Sequence, residues 1–468
     1  AGRWQRRSAV LGCSNSSQAM SVAAPAPQFA VGLLSHWAPA PNRVNPIAVL
    51  QEQEADRLPW LVPVRHSRMA HDAFAFYRGT PAVMAHDLGQ APSSGLEVQL
   101  CGDCHLANFG FYASPECSLV FDLNDFDETV RGPFEWDLKR LVASAVLAGR
   151  SLALDSDGQG RVARRTARAY RKAMQTLASQ SLRQIWAQRF DVDAYINELE
   201  HPSLQQHMLK VSTKARARTS SEAAGKLCER GPDGQLQLRH DPPLIWRHAL
   251  LDRSWTADID WRDLTEKLLQ LYLCSVPAEL RHLFRHYRLV DAALKAVGVG
   301  SVGTRCAIGL FVGPHPDDVL IIQSKQAEAS VLEPYATTPS PQHHGQRVIE
   351  GQRLMQTVSD PFLGWTSGLQ RDRRYYWRQL RNWKGSVDLA SLDAKGLELY
   401  GELCGRALAK AHARSGDRHA IAAWLEAGKV FDQALEAFGM HYADQSESDY
   451  RLFMQAIKEG RLQSSMIG

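Results

Sequence analysis

Apolar and polar positions change their period several times along the chain. "FGFYA" and "CSLVFDL" are short apolar runs separated by "SPE", a tripeptide suited to a turn, and they predict a two-stranded hairpin near residue 115. "EWDLKRLVASAVLAGRSLAL" follows with helical periodicity. From 159 to about 297 the helical period dominates. "GRVARRTARAYRKAMQTLASQSL", "DLTEKLLQLYLCS" and "PAELRHLFRHYRLVDAALKAV" each read as a helix, and the turn-rich "CERGPDGQLQLRHDPPLIW" reads as an exposed loop. At 297 the texture turns strand-like in "VGVGSVGTRCAIGLFVGPHPDDVLIIQSK"; "GQRVIEGQRLMQTV" then predicts a helix and "RYYWRQL" a strand. From 393 onward helices return in "DAKGLELYGELCGRALAKAHARSG", "HAIAAWLEAGKVFDQALEAF" and "SDYRLFMQAIKEG". The order of hairpin, helices, a small strand-rich unit and more helices places the chain in the α+β class.

Composition narrows this picture. The 468 residues are 44% hydrophobic and 22% charged, as expected of a globular protein with a sizeable core. The formal net charge of +4 gives no global reason to invoke nucleic acid, and no run of about 18 apolar residues predicts a membrane span. Eight scattered cysteines fit free thiols in a reducing compartment, so a cytoplasmic location is expected. Arg6 and Arg7 resemble an export signal, but no apolar core follows them. Residues 1–45, rich in Ala, Pro and Ser, are expected to form a disordered leader, with Met20 a candidate initiator.

The stretch "VQLCGDCHLANFGFY" carries two competing chemistries. Cys101, Cys104 and His105 match a haem-attachment pattern, and with Cys117 they could bind zinc. Haem is discounted for lack of an export signal, and zinc because thiolate ligation would distort the loop around Asp103. Asp103 and Asn108 have the spacing of a catalytic base and a metal ligand in phosphoryl transfer. Asp122 and Asp125 follow in "VFDLNDFDE", where hard oxygen ligands suit Mg²⁺; Asp127 and Glu128 add acidity. The plainer reading makes this a solvated acidic loop. Farther on, Gly298, Gly300 and Gly303, with Ser301 between them, form a G-x-G-x-x-G turn. A strand follows it, which argues against a dinucleotide fold and for a turn whose amides cover ATP phosphates. Lys325 ends the next apolar run, and Glu350 is the expected helical partner, with Glu328 the fallback. His412 closes a helix, where the helix dipole alone would favour it. Arg161, Arg164, Arg165, Arg168, Arg171 and Lys172 form a basic stripe that could hold an anion or nucleic acid but is expected to be a solvated helix face. Arg65, Arg68 and Arg78 are further cations able to meet phosphate.

Taken together, "FAFYRGT", "GDCHLANFG", "FDLNDFDETVRGPFEWDLKRL", "GVGSVGTR", "EGQRLMQ", "YYWRQL" and "LAKAHARSGD" resemble the bacterial domain of unknown function 2252 family over about residues 50–440. That family is in turn similar to protein-kinase-like and aminoglycoside-phosphotransferase-like folds. The resemblance implies Asp103 as base and Asn108 as metal ligand, with Asp125 favoured as the metal-binding Asp and Asp122 retained beside it. This chain differs from many relatives of the fold in Cys101, where they have His, and in Gln326 directly after the lysine. The parts also come in a changed order, with the catalytic loop before the glycine turn and lysine. The expectation is a circularly permuted, two-lobed kinase-like fold. Its C-lobe would comprise 46–290, with a helical insertion, and 391–468, around a nucleotide-binding N-lobe at 291–390. The expected function is ATP- and Mg²⁺-dependent phosphotransfer to an unidentified acceptor. AMP transfer and a non-catalytic nucleotide-binding or regulatory module are the alternatives.

Overall fold

The computed structural model describes residues 31–465 apart from 36, 252–259, 297, 316–317, 340, 370–372 and 381–382. Residues 1–30 of the expected leader therefore lie outside the described residues. Part of its remainder is packed: Leu34 is fully buried. Arg43 donates to Asp87 at 2.8 Å and to Asp449 at 2.7 Å, while the Tyr442 hydroxyl also donates to Asp87 at 2.8 Å. A Pro- and Ala-rich composition concealed one well-placed arginine.

The chain is mixed α+β. β1 (Glu97–Leu100) pairs antiparallel with β4 (Val130–Pro133), and β2 (Phe109–Ala113) with β3 (Leu119–Leu123). The expected hairpin thus forms, with Gly110 opposite Asp122. Its apolar positions are sealed by Phe109, Phe111 and Phe121, all buried. β5 (Cys228–Arg230) and β6 (Leu236–Leu238) form a small ribbon. β7 (Ile245–Arg247), β8 (Arg288–Lys295), β9 (Cys306–Val312), β10 (Val319–Ala327), β11 (Gly364–Ser367) and β12 (Arg374–Gln379) form a six-stranded sheet in the order β11-β12-β10-β9-β8-β7.

Two expectations are corrected here. The single helix over 277–297 divides into a short helix, Ala278–Phe284, and strand β8. Leu289, Ala292 and Ala293 of β8 are buried within the sheet layer, so tertiary packing overrides the helical preference of Ala and Leu. The segment 228–246 is likewise not a plain loop, because it supplies β5, β6 and the start of β7.

Five helices position the site: α1 (Phe134–Ser151), α2 (Ser156–Ala178), α3 (His344–Met355), α4 (Ala394–Ser415) and α5 (Lys429–Lys458). α1 is buried along almost its whole length. α2 packs against α1, α4 and α5, and α3 bridges the sheet and the β1 region. No described helix is long and apolar enough to cross a membrane.

The Arg43 clamp joins the start of the described chain to the helix Pro81–Gly89 and to α5. Arg43→Ala would leave the Asp87 and Asp449 carboxylates buried without a cation. A loss of about 3–5 kcal/mol is expected in urea unfolding, whereas Arg43→Lys should recover only part of it.

Candidate functional site

The loop 101–108 is shaped by backbone geometry before any chemistry. Gly102 has φ +86°, and a Cβ there would meet the Glu128 carbonyl oxygen at 2.1 Å. Only glycine fits both constraints. Asp137, in the first turn of α1, accepts from the backbone N–H of Cys101 at 2.8 Å and of Gly102 at 3.0 Å. His412 lies behind that carboxylate, with Nε2 at 3.3 Å from Asp137 and Nδ1 at 2.9 Å from the Tyr170 hydroxyl. The expected dipole-stabilised terminal histidine is therefore a fully buried brace of the loop. It sits on the inward face of α4, which the helical period alone does not distinguish from its outer one.

The loop presents Asp103 to a cleft. Its Oδ1 accepts from Arg140 Nε at 2.6 Å, and its Oδ2 lies 3.7 Å from His105 Nε2. Burial, with Arg78 and Arg140 nearby, lowers the His105 pKa well below its usual value and so favours the neutral imidazole. Asn108 Nδ2 donates to the Asp103 carbonyl at 2.8 Å, fixing base candidate and amide in one turn. Cys101 and Cys104 are buried with pKa values raised by burial, Cys104 to about 11. Cys117 is exposed, so Cys101, Cys104, His105 and Cys117 do not assemble as a zinc set. Among the described residues, the sulfurs of Cys101 and Cys104 lie with Asp137 within 4.8 Å of one another, but Asp137 already serves the loop amides.

The opposite wall comes from the sheet. Lys325 sits in β10 opposite Cys306 of β9 and Tyr376 of β12. Its ammonium is ion-paired with Asp127. Asp127 also accepts from Tyr376 OH at 2.6 Å and from Ser301 Oγ at 3.1 Å. Burial would raise the pKa of Asp127, but Lys325 and the Tyr376 hydrogen bond outweigh it and hold the carboxyl at about 2. Asp127 is not a solvated loop acid; it joins the acidic hairpin to the sheet.

The expected Lys325–Glu350 pair does not form. Glu350 is exposed and accepts from Gln346 at 2.7 Å, while Glu328 accepts from Gln326 at 2.9 Å. The reason is what α3 presents. Arg347 faces the hairpin and donates to the backbone carbonyls of Asp127 and Glu328, each at 2.8 Å, so α3 brings a cation where a carboxylate was expected.

The glycine turn closes the same cleft. Arg57 donates to the carbonyls of Val302 at 2.5 Å and Gly300 at 3.1 Å. Gly303, at φ +94°, turns the chain, and its carbonyl accepts from Leu58 N–H at 2.8 Å. Gly298, Gly300 and Ser301 line the cleft; Gly303 does not.

The resulting cavity is about 400 Å³ and is lined by Asp103, Asn108, Asp125, Asp127 and Lys325 together. Asp122 is not part of it: buried on the other side of the hairpin, it is ion-paired with Lys410. Asp125 is the carboxylate left over. Its Oδ1 is buried without a hydrogen-bond partner, and burial, then the charge of Asp127, raises its pKa. Of the three N-terminal arginines, Arg65 and Arg78 line the cleft, and Arg65 is paired with Glu54 at 2.9 Å. Arg378 and Lys384 add positive charge, and Arg378, with some desolvation, lowers the Lys384 pKa to about 7. The sequence did carry a signal for Arg378: in "RYYWRQL" the period of two puts it on the same face as Tyr376. Nothing local marks Asp137 or Arg140 as braces of a loop thirty-odd residues earlier.

Glu128 gives this site a pH signature. Burial raises its pKa to about 7. Because the folded value lies above the unfolded one, its contribution is full below the ordinary carboxyl range and is lost as pH rises through about 7. Glu128→Gln should therefore leave stability nearly unchanged at acid pH. Above neutrality it should raise stability by on the order of 1–3 kcal/mol, read from urea midpoints across the pH range.

No curated protein and no solved structure is found to match the chain. A family model described as an uncharacterized protein conserved in bacteria (DUF2252) matches residues 57–456. That match spans most of the chain, and the protein belongs to the DUF2252 family.

Proposed function

We propose that the cleft binds ATP with Mg²⁺ and transfers a phosphoryl group to an acceptor hydroxyl. The observation that carries this reading is the meeting of Asp103, Asn108 and Asp125 with Lys325 and Gly300, about two hundred residues away, in one cavity. Phosphoryl transfer asks for this set: a carboxylate base, oxygen ligands for a metal, and cations on the phosphates. The order of parts also supports it. A glycine turn, a lysine strand, helix α3, two further strands and a linker at 383–386 run in sequence, and Lys384, Gly385 and Ser386 of that linker line the cleft. With the catalytic loop placed first, this order is the one a circularly permuted kinase-like chain would have.

A divalent cation fits the residues present. The unpartnered Asp125 Oδ1 is the kind of hard oxygen Mg²⁺ takes, and Asn108, whose amide nitrogen is engaged by the Asp103 carbonyl, keeps its oxygen for the same purpose. Bound there, Mg²⁺ would neutralise phosphate charge. Lys325, Arg378 and Lys384 attract the phosphates, and Arg78, whose Nε is buried without a partner, adds a further donor. Asp103, held by Arg140, orients the acceptor hydroxyl and takes its proton through Oδ2, the oxygen Arg140 leaves free.

Thermal shift and product analysis test this. Mg²⁺ and ATP together should raise the melting temperature of the wild type, and Asp125→Ala should lose most of that rise. Asp103→Asn should keep the shift yet lose transfer by roughly 10²–10⁴-fold. The mass added to the product separates phosphoryl from adenylyl transfer. No shift in the wild type contradicts nucleotide binding, and a shift without any turnover contradicts the transferase reading.

A further inference from the structure

The basic stripe on α2 is largely exposed, as its spacing suggested, but most of its charges are paired. Arg161 and Arg165 pair with Glu398 of α4, and Arg165 also with Glu402; Arg164 pairs with Glu436 and Arg171 with Asp432, both on α5. The fold supplies an acid to each of these four. Arg168 and Lys172, one turn apart, form no ion pair with any described residue, and like charges at that spacing repel. Both line a cavity of about 640 Å³, larger than the cleft and sharing no residue with it.

Two more cations converge there with little compensation. Arg189 is 4.0 Å from an exposed Glu116, and Arg406 is 3.8 Å from Glu402, which already serves Arg165 at 2.5 Å. Lys410 also lines the cavity, its charge spent on the buried Asp122. Thr176, Gln180 and Gln188 add neutral polar groups. We infer that this cavity is a second binding site, for a small molecule carrying two or more phosphate or carboxylate groups. A concave pocket with cations converging from three segments suits a compact polyanion; a nucleic-acid strand would need an extended track with stacking surfaces. Because Lys410 ties the cavity to Asp122 on β3, the site lies against the strand opposite the one that follows Asn108.

The test needs neither ATP nor a divalent cation, so it stands apart from the proposed transferase activity. Inorganic pyrophosphate is titrated calorimetrically into wild type, Arg168→Glu/Lys172→Glu, and Arg78→Ala as a control for the cleft. Both reversed side chains are exposed and unpaired, so an unchanged melting temperature should accompany the double variant. Its affinity for pyrophosphate should fall at least tenfold, with Arg78→Ala retaining that binding event. A double variant that titrates like wild type, or no wild-type binding that depends on these residues, overturns the inference. So does a single-stranded oligonucleotide that binds through Arg168 and Lys172 where pyrophosphate does not.

Discussion

The contact between Lys325 and Asp127 joins two parts of the chain that are remote in sequence. Lys325 belongs to the middle of a sheet, and Asp127 to the loop between β3 and β4. Removing Asp127 would strand the buried Lys325 charge, at a cost of about 3–5 kcal/mol. Other bonds repeat the connection. Tyr376 and Ser301 donate to the same carboxylate, Arg347 to the carbonyl beside it, and Ser330 to the Glu128 carbonyl at 2.7 Å. The segment 124–129 is thereby fixed against the sheet, and with it the distance between the two walls of the cleft.

That fixing has an electrostatic consequence. With Asp127 committed to Lys325, Asp125 is left beside a negative neighbour, with its Oδ1 buried and unpaired. A carboxylate so placed gains from a cation or a proton. Asp103 is different: Arg140 already compensates its charge and sets its direction. Environment alone thus separates three acids within a few turns of chain into a bridge, a candidate ligand and a candidate base. Asp137 makes the arrangement rigid by holding the loop amides, with His412 and Tyr170 packed behind it.

How much was legible depended on whether a feature was local. The hairpin, helices α1 to α4 and the glycine turn follow from period and turn chemistry, and each is present. Asp103, Asn108, Asp125 and Lys325 were singled out by residue type and spacing, and all four line the cleft. What escaped was decided by packing between remote segments. β8 has the composition of a helix and becomes a strand because β9 is beside it. Glu350 has the right type at the right spacing but sits on the exposed face of α3, and Asp122 points to the wrong side of its strand, where Lys410 waits. Asp127 was visible as an acid, but its partner lies 198 positions away.

One nucleotide spanning both walls is the central claim, and hydrogen–deuterium exchange with and without Mg²⁺ and ATP tests it most directly. Protection is expected together in the peptides covering 101–108 and 124–128 and in those covering 298–305 and 323–327, and it should require both Mg²⁺ and ATP. Protection absent from both regions, or confined to one of them, would contradict the account.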